Sequence, residues 1–121
     1  MKKYYKVVDK TRDYYFSCSA ITPREGYSLN YRVGKETKPK YGYIYAFRSL
    51  HYARHYARLF AEVYPFSILV GSGEFVDEKP RITHPNTISI KAFWDDQEVD
   101  SIKAAPGTVW LKSFTPEKVV E

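Results

Sequence analysis

The chain has a single cysteine, Cys18. No internal disulfide can form, so stability has to come from a hydrophobic core and hydrogen-bonded elements. No apolar run approaches the roughly 18 residues that a membrane-spanning helix needs. The N-terminal "MKKYYKVVDKTRDYY" carries positive charge but no apolar signal core, because Lys10, Arg12 and Asp13 interrupt it. These absences point to a cytoplasmic protein with no membrane partner. No Pro/Gly-rich or low-complexity tract suggests disorder. At 121 residues the chain reads as one domain over 1–121 with a single core.

Catalytic signatures are missing as well. There is no GxGxxG, GxxxxGK[ST], GxSxG or zinc-finger spacing. "GSGE" (71–74) is too short for a phosphate loop and opens no helix. Cys18, between Ser17 and Ser19, reads as a small buried residue rather than a nucleophile. Asp95, Asp96, Glu98 and Asp100 lack calcium-loop spacing and read as a solvated acidic loop. Nothing in the sequence asks for a cofactor.

What is present is unevenly distributed. Residues 1–58 carry a net charge of +9 and residues 59–121 a net of −4. All 12 tyrosines lie between Tyr4 and Tyr64, whereas both tryptophans, Trp94 and Trp110, come later. A basic, Tyr-rich half beside an acidic half suggests one positive face, provided the two halves do not interleave in the fold.

Apolar alternation and turn residues predict strands at 3–8, 14–21, 28–33, 43–47, 66–76, 87–94 and 107–114. The strand 66–76 has candidate bends at Gly71 and Gly73. One main helix is expected over 50–64. Ser49 is its N-cap and Pro65 its stop. The expected fold is α+β: a mostly antiparallel sheet of about seven strands with that helix packed on it.

At about 100° per residue, Leu50, Ala53, Tyr56, Ala57, Phe60, Ala61, Val63 and Tyr64 share one arc of the helix, a core-facing stripe. The opposite arc holds His51, Arg54, His55, Arg58 and Glu62. Like charges at i,i+4 cost a helix roughly 0.2–0.5 kcal/mol per pair. Arg54 and Arg58 form such a pair, and protonated His51 and His55 would form another. An anionic partner would relieve that repulsion; a solvated face would tolerate it. The His51-x-x-x-His55 spacing also suits two metal ligands, but Tyr52 stands where zinc proteases carry Glu, and no third ligand is evident, so no metal is assigned.

Tyr41, Tyr43, Tyr45 and Phe47 fall on one side of the fourth strand at period two. They read either as core or as a stacking surface next to Lys35, Lys38 and Lys40 in the preceding loop, with Tyr27, Tyr31 and Arg32 as extensions. Stacking aromatics beside basic groups is how proteins hold nucleotides and single strands.

The segments "YYKVV" (4–8), "YRVGKETKP" (31–39), "GYIYAF" (42–47), "SLHYAR" (49–54) and "ILVGSGEF" (68–75) resemble a loose group of small accessory proteins of bacteriophages and other mobile elements. The resemblance covers about residues 4–75. It implies an accessory setting in the host cytoplasm and a host component as partner, not a reaction. The order Arg32, Ser49, Glu74 resembles ADP-ribosyltransferases. Here the serine lies in "FRSLH" rather than Ser-Thr-Ser, and Ser72 replaces the upstream Glu or Gln.

Two functions are therefore expected. The first is a non-enzymatic binding protein that engages a nucleotide, a nucleic acid or an acidic host protein surface. Its residues would be His51, Arg54, His55, Arg58, Lys35, Lys38, Lys40, Tyr43 and Tyr45. The second is a degenerate ADP-ribosyltransferase-like or other nucleotide-using enzyme, with Arg32, Ser49 and Glu74 as its catalytic set.

Overall fold

The computed structural model describes residues 2–11, 14–17, 30–39, 42–58, 66–83, 101–104 and 106–121. Among them are eight strands and one helix: β1 (Tyr4–Thr11), β2 (Tyr14–Ser17), β3 (Asn30–Tyr31), β4 (Ile44–Phe47), α1 (Leu50–Arg58), β5 (Phe66–Val76), β6 (Arg81–Thr83), β7 (Ser101–Lys103) and β8 (Thr108–Val119). Four of the strands close a ring. β1 pairs with β5 from Tyr4↔Gly71 to Asp9↔Phe66, and β5 pairs with β8 from Leu69↔Val119 to Val76↔Trp110. β8 pairs with β4 from Leu111↔Ile44 to Thr108↔Phe47, and β4 returns to β1 at Phe47↔Tyr5. Every pairing is antiparallel.

The expected mostly antiparallel sheet of about seven strands is thus corrected to a closed four-stranded antiparallel barrel. The remaining strands among the described residues are short. β2 and β3 extend β1 outward, and β6 and β7 pair only with each other. Closure comes from the two long strands. β5 spans 11 residues and β8 spans 12, and their register shifts between Val70 and Gly71 and again between Gly73 and Phe75. Such irregularities bend and twist a strand, which lets one end of β5 face β1 while the other follows β8. Pro116, which cannot donate to a ladder, lies opposite Gly71 at the first of these shifts. β8 runs through Val119 rather than ending near Phe114. The tail therefore continues the barrel.

Each barrel strand points a side chain inward. Tyr4 and Val8 from β1, Ile44 and Ala46 from β4, Leu69 from β5, and Leu111 and Phe114 from β8 form the interior, joined by Tyr31. Tyr31 meets Phe114 edge-on at 6.1 Å between ring centroids. The tyrosine expected to extend a binding surface is therefore core. A second cluster lies outside the barrel. There Ala53 and Ala57 of α1 meet Val7, Phe47 and Ile68. The alanines let the helix backbone lie close to the strands, as its core-facing stripe predicts.

The strand at 87–94, the acidic loop 95–100, Cys18, Tyr27, Lys40, Tyr41 and the helical continuation 59–64, with Phe60 and Glu62, lie outside the described residues. Among the described residues, no helix is long and apolar enough to cross a membrane.

Two substitutions test the barrel. A methyl group on Gly71 would meet the Thr115 carbonyl oxygen at 2.1 Å and Pro116 Cα at 2.8 Å, both backbone atoms. Overpacking of this kind costs about 1–3 kcal/mol or more. Gly71→Ala should therefore lower the denaturation midpoint, and a variant as stable as the parent would mean that β5 and β8 do not approach there. Phe114 is fully buried at the barrel centre. Phe114→Ala should cost about 3–5 kcal/mol in urea unfolding, and a loss under 1 kcal/mol would place the ring outside the core.

Candidate anion-binding face

The helix begins where its sequence says it should. Ser49 Oγ accepts the Tyr52 backbone N–H at 3.4 Å, and the Ser49 carbonyl accepts the first helical bond from Ala53 at 3.2 Å. The turn entering β8 holds this end of the helix. The Arg48 N–H donates to the Gly107 carbonyl at 2.9 Å, and the Tyr52 ring lies against Gly107, where a Cβ would meet it at 2.3 Å. Gly107 also has φ +80, so glycine is needed twice over.

With Ala53 and Ala57 turned inward, His51, Arg54, His55 and Arg58 are all exposed on one stripe. The helix has no acidic residue in its first turn and ends in basic ones. Arg48 extends the stripe beyond the cap. Its guanidinium lies 5.0 Å from the Tyr52 ring centroid and donates to the Tyr52 hydroxyl at 3.2 Å, which holds a long side chain in one orientation. Arg54 Nε pairs with the Glu121 carboxylate. Arg54, Arg58, Phe66 and Glu121 line a shallow cleft of about 130 Å³.

Three lysines elsewhere have a carboxylate each. Lys3 pairs with Glu117, Lys38 lies 3.6 Å from Glu36, and Lys112 lies 3.9 Å from Glu74. On the helix face, among the described residues, Arg48, Arg54, Arg58 and two histidines face one carboxylate, Glu121.

The predicted residues fall on separate surfaces. α1 packs against β1, β4 and β5. Lys35 and Lys38, both exposed, sit in a loop fastened to β8, the strand opposite β1 in the ring. Gly34 donates to Pro116 at 2.7 Å, and Thr37 and Phe114 exchange bonds at 2.8 and 3.0 Å. The structure does not bring these lysines to the helix stripe. Tyr43 and Tyr45 lie half-buried on the outer side of β4, packed against Trp110 at 5.2 and 6.1 Å between centroids. They are part packing and part surface.

The alternative set is not gathered either. Ser49 caps the helix beside Gly107, and Glu74 lies on β5 next to Lys112. Arg32 enters the turn fastened to Pro116. At the rise of an extended strand, the two ends of this row along β8 are separated by roughly 25–30 Å. Among the described residues, no three His, Cys, Asp or Glu side chains converge on a metal-sized site. No protein-family model, curated protein or solved structure matches the chain.

Three contributors were not among the expected site residues. Arg48 was legible, since Arg48-x-x-x-Tyr52 is an i,i+4 pair. Phe66 and Glu121 depend on strand pairings that no local pattern carries.

Tyr43 donates to Glu78 Oε2 at 3.2 Å. Its pKa is raised, first by partial burial and then by the Glu78 charge and this hydrogen bond. A phenol with a raised folded pKa contributes stability that is complete below its ordinary pKa of about 10 and is lost as pH climbs through the folded value. Unfolding free energy should therefore fall above about pH 10. Tyr43→Phe should make that fall shallower in alkaline denaturation, and identical slopes for the two proteins would remove Tyr43 from the alkaline transition.

Proposed function

We propose that this protein is a small non-catalytic binding module that engages the phosphate backbone of nucleic acid through the exposed face of α1. One observation carries the reading: five basic or potentially basic groups, Arg48 just before α1 and His51, Arg54, His55 and Arg58 on it, stand exposed on a face seated on the barrel, opposed among the described residues by one carboxylate. Arginine forks match phosphate oxygens, and a helix holds them without the ordering cost of a loop. The half-buried rings of Tyr43 and Tyr45 on β4 offer apolar surface of the kind that bases contact. The resemblance to accessory proteins of phages and mobile elements suggests action in the host cytoplasm.

The test is fluorescence polarisation with a labelled single-stranded oligonucleotide at ~50 and ~200 mM salt. Charge-assisted contacts contribute about 1.5–3 kcal/mol each. Arg54→Ala with Arg58→Ala should therefore weaken binding at least about tenfold and flatten the salt dependence. Stability should change little, because relief of about 0.2–0.5 kcal/mol of repulsion offsets loss of a half-exposed ion pair of about 0–1 kcal/mol. Lys35→Gln with Lys38→Gln, on the other side of the barrel, is the comparator. Equal affinity for the parent and the arginine double variant would remove the helix face from the interface. Preference for an acidic polypeptide over the oligonucleotide would overturn the nucleic-acid reading.

A further inference from the structure

Among the described residues, Glu121 is the one acidic group set into this basic face, and the main chain puts it there. The Ile68 N–H donates to the Glu121 main-chain oxygen at 2.9 Å. The Val120 and Glu121 N–H groups donate back to Ile68 at 2.8 and 3.4 Å. The end of the β8 segment is thereby fastened to β5, next to the C-terminal half of α1. Its carboxylate meets Arg54 Nε, and the same carboxylate, Arg54, Arg58 and Phe66 form the walls of the cleft. Arg58 has no carboxylate partner among the described residues.

We infer that the cleft between Arg54 and Arg58 is a subsite for one phosphate group, and that Glu121 is its internal occupant, displaced when the phosphate enters. This rests on the nucleic-acid reading above and adds how the site is held when empty. The geometry supplies the parts. Two guanidinium groups one helical turn apart can both reach one phosphate, and Phe66 supplies an apolar wall that strengthens charge contacts by excluding water. Among the described residues, Glu121 engages the Nε of Arg54 alone. A carboxylate with one negative charge neutralises one arginine of the two. A phosphate can accept from both.

Magnitudes favour exchange. The Arg54 and Glu121 side chains are 47% and 33% exposed, so the pair is a surface pair that holds its partners by roughly fivefold or less. A phosphate that contacts both Arg54 and Arg58 makes two such contacts where Glu121 makes one. The partner therefore outcompetes Glu121, yet the internal carboxylate lowers the affinity of the site for weak anions and spares Arg54 from repulsion by Arg58 when no partner is present. A partner has to bring a group with more acceptors than a carboxylate, which selects phosphate over acidic side chains.

The experiment is a double-mutant cycle on the intact chain, read by polarisation of the same labelled single-stranded oligonucleotide. Glu121→Gln keeps the main-chain bonds to Ile68 and removes the charge. It should raise affinity up to about fivefold. Its salt dependence should change by less than about 0.7, the increment for one phosphate contact on a single strand, because the phosphate reaches the same two arginines in both proteins. In an Arg54→Ala background the gain from Glu121→Gln should largely vanish, because the arginine that Glu121 engages is gone. A thermal melt of each variant keeps folding out of the comparison. If the parent binds and Glu121→Gln leaves affinity unchanged, or its gain persists without Arg54, the internal-occupant idea is overturned while the nucleic-acid reading stands. If neither parent nor Glu121→Gln binds the oligonucleotide, both are overturned.

Discussion

From Leu69 to Val76, β5 runs against β8 between Val119 and Trp110, and the placement of nearly every other element follows from that ladder. The two strands are the longest among the described residues and join segments far apart in sequence. Because β5 also pairs with β1, and β8 with β4, the pair forms half of the barrel wall and positions the other half. The approach is closest at Gly71 and Gly73, where the backbones of Thr115 and Ser113 occupy the space a side chain would need. Glycine there is a packing requirement, and the register shifts beside these residues provide the bend that closure demands.

A closed ring has no free ladder edge along its paired length, so it buries its apolar side chains inward and leaves the outside to be covered selectively. α1 covers the outer side of β1 and its neighbours. That placement determines the orientation of the helix. Ala53 and Ala57 fit close against Val7, Phe47 and Ile68, and the helix has no other apolar stripe to offer. The basic groups on its opposite arc are then held outward by packing they take no part in. Rigidity at the site is inherited from the barrel through two small residues and through the Tyr52–Gly107 contact at the helix start.

Local features were legible, and distant pairings were not. The Ser49 cap, the outward stripe and the inward alanines follow from a 3.6-residue period, which is written in neighbouring residues. The strand at 66–76 and its glycines were equally plain. Closure was not, because it depends on β1 pairing with β5 and on β8 continuing past Phe114. The polar and proline-containing "TPEKV" gave no apolar alternation to follow. Pro116 is tolerated in that strand because it lies at a register shift. Tyr31 looked like surface beside Arg32 and Lys35, yet it fills the barrel against Phe114. A tyrosine next to charged neighbours carries no local mark of which way it points. Glu121 entered the site for the same reason that the barrel was missed: both depend on where the last strand goes.

Charge imbalance along the chain suggests a single positive face; among the described residues, Lys35 and Lys38 lie apart from the arginines of the helix face. The two surfaces differ physically. Lys35 and Lys38 ride on long flexible stems in a turn, and Lys38 is near Glu36. Ordering such side chains on a partner costs rotamer entropy that each contact has to offset. Arg54 and Arg58 project from a helix seated on the barrel by Ala53 and Ala57, and Arg48 is already ordered over Tyr52. For equal formal charge, the helix face spends less of its attraction on ordering and keeps more for the partner. Net charge already ranks the helix face above the lysine turn, and the packing beneath widens the difference, which is why the barrel has to be understood before the basic residues can be assigned a role.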